Sequence, residues 1–216
     1  MFHDVKYGGY SNPHPRKKDV CDVDLYQKIA ASYVLYLDKR KLERYVTEVN
    51  MSDNKLKVLM PEADLVAIII HSIIPEMLCT LFVYYATLYY TAKMDSEEIK
   101  SVMKITNENN VRFSAKAHCS LIAELHKAAH GLVPEKIEAI LAELDDETRR
   151  KRILLENDFK MPHKYGLSTV VRILLEKIKE SAFRRSVFKQ MMHILNPKVA
   201  KWVIYNIIWR CRRETY

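Results

Sequence analysis

Trp202, Tyr205 and Trp209 stand three and four residues apart among Lys198, Lys201, Arg212 and Arg213. On a helix, at about 100° per residue, the three rings fall within about 60° of one another, with the four cations on the same side. Rings and cations on one surface suit single-stranded nucleic acid: each ring stacks on a base for about 1–3 kcal/mol while ammonium and guanidinium groups meet phosphates. The same residues would also suit a core or a subunit interface, with Lys and Arg stems lying over the rings. Val199, Val203, Ile204, Ile207, Ile208 and Cys211 cover the rest of that helix and are expected to be buried.

Two further groups of cations belong with this one. Arg149, Arg150, Lys151 and Arg152 open a predicted helix, where positive charge sits badly against the positive end of the helix dipole unless an anion lies nearby. Arg184, Arg185 and Lys189 lie opposite an expected apolar stripe of Phe183, Val187, Met191 and Ile194, and so should be exposed. Residues 146–216 hold 17 Lys and Arg against 7 Asp and Glu, whereas residues 51–145 carry a net charge of −4 and the whole chain +8. A protein polarised in this way presents a positive field, for which a polyanion is the natural partner.

Metal and catalytic chemistry find less footing. His118, Cys119, His126 and His130 share one predicted helix, and His126 and His130 have ligand spacing, but structural zinc needs four ligands. Histidines in the core or at a helix end are the expected reading, and neither a metal nor another cofactor is implied. No phosphate loop, nucleophile elbow or marked carboxylate pair occurs, so no enzymatic activity is expected.

The elements that must position these residues read as helices. Four glycines and seven prolines leave little material for tight turns and strands. Residues 1–20, with Gly8, Gly9, Pro13 and Pro15 and the run Arg16-Lys17-Lys18, read as an extended arm, either a frayed terminus or one that reaches a neighbouring subunit or a nucleic-acid backbone. A helix should run from Asp22 or Asp24 to about Asn50, with Lys39, Arg40, Lys41 and Arg44 as a basic cluster. The apolar stretch Leu65–Ala92 is long enough to span a bilayer, but His71, Pro75 and Glu76 interrupt it. It reads instead as a buried helix pair, 61–74 and 76–93, bent at Pro75. Asp95 or Ser96 should cap the next helix, which fails near Thr106–Asn110, the candidate boundary between two lobes. Further helices are expected over 114–130, 134–144, 145–157, 168–180 and 182–195, and from Asn196-Pro197 onward.

The expectation is an all-α, compact multi-helix bundle: an arm (1–20) and a helical domain (21–216), divisible into lobes 21–107 and 111–216, with a central apolar pair. The dispersed cysteines, with no C-x-x-C pair, suit reduced thiols in the cytoplasm, or in a virion if the source is viral. The expected function is nucleocapsid-like: binding and packaging of nucleic acid, chiefly single-stranded RNA, without strong sequence preference, by a homo-oligomer linked through its arms. The rivals are a helical module that takes a partner helix in a groove and a helical DNA-binding regulator.

Overall fold

The computed structural model describes residues 34–51, 54–74, 76–144 and 161–195, the pairs 5–6, 9–10, 25–26 and 30–31, and residues 197, 200, 201, 204 and 205. Within them the chain is mostly α-helical, with short antiparallel strands. Two units emerge: residues 1–39 with 181–212, and residues 40–180 with 213–216. The expected lobe boundary near 107–111 falls inside the larger unit.

The larger unit is built around α2 (Pro61–Ile73), which packs against α3 (Leu81–Lys93), α4 (Ser96–Glu108) and α5 (Arg112–His130). Pro61 takes the first helical position, where its missing N–H costs nothing, and Met60 precedes it in extended conformation. Leu65, Val66, Ile69, Ile70 and Ile73 are all buried, so α2 is apolar over most of its circumference. Each such side chain contributes about 1.5–3 kcal/mol on removal from water. α6 (Glu135–Leu144) and α7 (Leu167–Lys177) close the unit against α5.

Helix ends follow local chemistry. Asp95 caps α4 by accepting from Glu97 N and Glu98 N, and the Glu98 carboxylate accepts in turn from Asp95 N–H, a complete capping box. α5 stops at Gly131, whose φ of 77° is the left-handed conformation that terminates helices. It starts two residues before the expected Ser114, whose hydroxyl is buried. The segment expected at 145–157 lies outside the described residues.

Two expectations are corrected. Residues 25–50 are not one helix: Leu25–Tyr26 (β3), Ala30–Ala31 (β4) and Val34–Leu35 (β5) are extended, as are the earlier pairs Val5–Lys6 (β1) and Gly9–Tyr10 (β2). A short helix, α1 (Lys39–Leu42), and one turn of 3₁₀ helix then lead into a hairpin of β6 (Val46–Met51) and β7 (Asn54–Leu59). Val46, Thr47 and Val49 are β-branched and favour a pleated ribbon over a helix. The second correction concerns α3, which begins at Leu81 and not at 76. Leu78–Cys79 (β8) pairs instead with His163–Lys164 (β9), and the Thr80 hydroxyl then accepts from Val83 N to start the helix. α3 buries Val83, Tyr84, Thr87 and Thr91 but exposes Leu81, Phe82, Tyr85 and Tyr89, so of the pair only α2 is buried over most of its length. No helix among the described residues is long and apolar enough to cross a membrane.

Candidate nucleic-acid interface

In the smaller unit, α8 (Ser181–Ile194) packs along β5. Phe183 is buried, Ser186 and Val187 are half-buried, and the Ser186 hydroxyl accepts from Leu35 N at 3.0 Å while donating to Phe183 O at 2.6 Å. This anchored face fixes the other. Arg184, Arg185 and Lys189 are exposed, as expected, and at about 100° per residue Phe188 and Met192 fall between Arg184 and Arg185. Phe188 is 65% exposed and Met191, Met192 and Leu195 are also open to solvent. The expected stripe of 183, 187, 191 and 194 is therefore corrected at Met191. The buried arc instead runs through Phe183, Ser186, Val187 and Gln190, because Ser186 can satisfy the β5 backbone there.

Beyond α8, Lys201, Ile204 and Tyr205 are helical and exposed, Tyr205 at 68%. Ile204, expected in a buried aliphatic face, is exposed as well. Arg149, Arg150, Lys151, Arg152, Lys198, Trp202, Trp209, Arg212 and Arg213 lie outside the described residues. Five of the fourteen candidate residues are therefore placed, all in one unit and all exposed. Phe188 joins them as a ring that sequence reasoning passed over. Its i+4 spacing from Arg184 was the available signal.

The larger unit uses its cations differently. Lys41 Nζ donates to Glu108 O and to Glu180 Oε1, both at 2.6 Å, and Arg44 pairs with the Glu108 carboxylate. That pairing raises the Arg44 pKa. Lys177 is fully buried, bonded to Asn109 O and to the second oxygen of Glu180. One carboxylate is thus held between two ammonium groups, locking the ends of α4 and α7 to α1. Lys136 donates to the carbonyls of Ala92 and Met94, and Arg112 bonds Glu143 O at 2.6 Å. These cations hold the fold. Among the described residues no ion pair holds Arg184, Arg185 or Lys201. Residues 181–212 contain seven Lys and Arg and no Asp or Glu.

The histidines of α5 are occupied in the core. His118 is wholly buried, its Nε2 2.8 Å from Thr87 Oγ1 and its Nδ1 2.7 Å from the Tyr165 hydroxyl. Thr87 spends its proton on Val83 O at 2.8 Å, so its oxygen accepts from His118 Nε2–H. His118 Nδ1 therefore accepts from Tyr165, and the ring is neutral; burial lowers its pKa to about 3. His126 bonds the Tyr84 hydroxyl at 2.8 Å and lies against His130, with burial and then the His130 charge lowering its pKa. Burial raises the Cys79 and Cys119 thiols to about 12, which leaves them unreactive at neutral pH. Among the described residues no three His, Cys, Asp or Glu side chains come together as a metal site.

A second exposed aromatic strip, unforeseen, runs along α3: Phe82, Tyr85 and Tyr89, with Lys93 4.4 Å above the Tyr89 ring. α3 carries that one cation, too little to hold a phosphate chain by itself. No protein family matches this sequence, no curated protein is similar to it, and no solved structure matches its fold.

Proposed function

We propose that this protein binds nucleic acid without strong sequence preference, most readily single-stranded RNA, through the cationic segment of the smaller unit. The observation that carries the reading is the run 181–212, which holds seven cations and no carboxylate, with its described Arg184, Arg185, Lys189 and Lys201 all exposed. Phosphate contacts by these side chains would supply affinity, and Phe188 and Tyr205 offer rings on which bases stack. Trp202, Trp209 and the cations at 149–152 and 212–213 are further candidates on sequence grounds. Packaging of long RNA follows on this reading if many copies line one strand.

The test is retention of the full chain on single-stranded RNA across a salt series. Binding of this kind loses affinity steeply with salt, in proportion to the phosphates neutralised. An absence of retention at low salt sinks the proposal. One observation favours a second reading, an interaction module for a partner helix. Phe188, Met191, Met192 and Leu195 follow the i, i+3, i+4, i+7 spacing of a docking ridge. Binding to such a partner would survive salt that strips RNA from the protein.

A further inference from the structure

We propose that the β6–β7 hairpin is a self-association element, two copies of the chain pairing edge to edge through antiparallel β6 strands with Val49 of each on the two-fold axis. The proposal does not depend on the nucleic-acid reading, since the hairpin belongs to the larger unit. Among the described residues the hairpin is a sheet of two strands only, and β6 pairs with no strand but β7. A ribbon of two strands is marginal in water, and an open strand edge is a template for another chain.

The two edges are not equivalent. Met60 N–H donates to Tyr45 O at 2.7 Å, which makes 45 and 60 a hydrogen-bonded pair. The alternation of an antiparallel ladder then turns the backbone groups of Val46, Glu48 and Asn50 outward on β6, and those of Lys55, Lys57 and Leu59 outward on β7. Self-pairing of β7 centred on Leu56 sets Lys55 against Lys57, and centring on Lys57 sets it against itself. A register shifted further toward the helix meets Pro61, the start of α2. Lysines on an exposed edge protect it from addition. The β6 edge has no lysine and no proline.

Register on β6 follows from charge and face. Centring on Glu48 would oppose two carboxylates, which is unfavourable. Centring on Val49 pairs Glu48 with Asn50 of the second copy, each exchanging both backbone bonds, and leaves Val49 facing Val49 in a close pair without hydrogen bonds. Thr47, Val49, Leu56 and Val58 then share one face of a four-stranded sheet, order β7-β6-β6-β7. All four are exposed in the single chain, Val49 at 46%. The occupant that matches this edge in hydrogen bonding, charge and side-chain shape is the same edge.

The test uses the full chain with Cys21 and Cys211 replaced by Ser; Cys79 and Cys119 are buried. Sedimentation should show a concentration-dependent dimer. Val49→Lys should raise its dissociation constant at least about tenfold with the helical circular dichroism unchanged, while Val49→Thr keeps it. Under mild oxidation Val49→Cys should form a disulfide-linked dimer, and Lys57→Cys should not. A monomer at every concentration overturns the proposal. So does a dimer that survives Val49→Lys and disappears when residues 1–18 are deleted. Should Val49→Lys unfold the chain, failure of Val49→Cys to cross-link the folded protein is decisive against it.

Discussion

Acid should destabilise this fold through His118 before its carboxylates are protonated. The folded chain keeps the ring neutral between Tyr165 and Thr87, with a pKa of about 3, against 6.5 for a solvated imidazole. Below pH 6.5 the unfolded chain therefore binds a proton that the folded chain refuses, so stability falls as pH drops from 6.5 toward 3. Two-state linkage with these values gives a loss of about 2 kcal/mol between pH 7 and pH 5, rising toward about 5 kcal/mol when the ring is fully charged. Urea unfolding followed by circular dichroism at pH 7, 6 and 5 measures it. His118→Gln supplies the control, because its amide can donate to Thr87 and accept from Tyr165 but does not titrate. Every other group contributes equally to both proteins, so their difference isolates one ring. Wild type should lose about 2 kcal/mol more than the variant over this range. Parallel losses would show that His118 takes up its proton in the folded state, and the tautomer assigned here would be wrong.

Other consequences can be measured separately. Glu180→Ala strands Lys177 in the interior and should cost about 3–5 kcal/mol in chemical unfolding, whereas Lys177→Met with Glu180→Leu should recover most of it. Asp95→Ala removes the α4 capping box and should lower stability by about 1 kcal/mol, seen as a lower thermal midpoint. Arg184→Glu with Arg185→Glu should weaken RNA retention and reduce the slope of log affinity against log salt by about 1.4, the share of two phosphate contacts on a single strand. A slope that does not change would remove α8 from the interface. Ile70→Ala, in the fully buried stretch of α2, should cost about 2–5 kcal/mol, and the urea midpoint reports it.

Short-range chemistry made much of the fold legible. The Asp95-Glu98 box, Pro61 at the first turn of α2 and Gly131 after α5 each act within four residues, so their sequence signatures sufficed. Segment 22–50 misled because Leu42, Tyr45 and Val49 fit a helical spacing as well as a strand one. The β-branched run Val46-Thr47 and the alternation Lys55-Leu56-Lys57-Val58 were the deciding signals, and they pointed to a hairpin. α3 misled for a different reason. Apolar composition sets what could be buried, but only the arrangement of neighbours decides which face is, and among the described residues Phe82, Tyr85 and Tyr89 stay exposed. The His118 network was beyond reach, since Tyr165 lies 47 residues away and arrives through the β8–β9 pairing.

The candidate interface divides along the same line. That Arg184, Arg185 and Lys189 face solvent follows from helical periodicity and needed no tertiary information. That residues 181–212 group with 1–39, and not with the helices preceding them, depends on long-range pairing such as Leu35 to Ser186. The distinction between structural and available cations has a local cause, however. Lys41, Arg44 and Lys177 belong to a unit that supplies Glu108 and Glu180 at helix ends, where a carboxylate and free carbonyls together satisfy an ammonium. Residues 181–212 supply no carboxylate at all, so a cation there has no acidic partner within its own segment. Within the smaller unit every acid, Asp4, Asp19, Asp22, Asp24 and Asp38, lies in residues 1–39, so the segment 181–212 carries its charge without a local carboxylate. By that measure, Arg185→Glu should weaken RNA retention more than Lys100→Glu, an equal change of charge at a residue whose partner is already Glu97 at 2.7 Å. Equal effects at the two positions would mean that retention follows overall charge, and the assignment to α8 would fail.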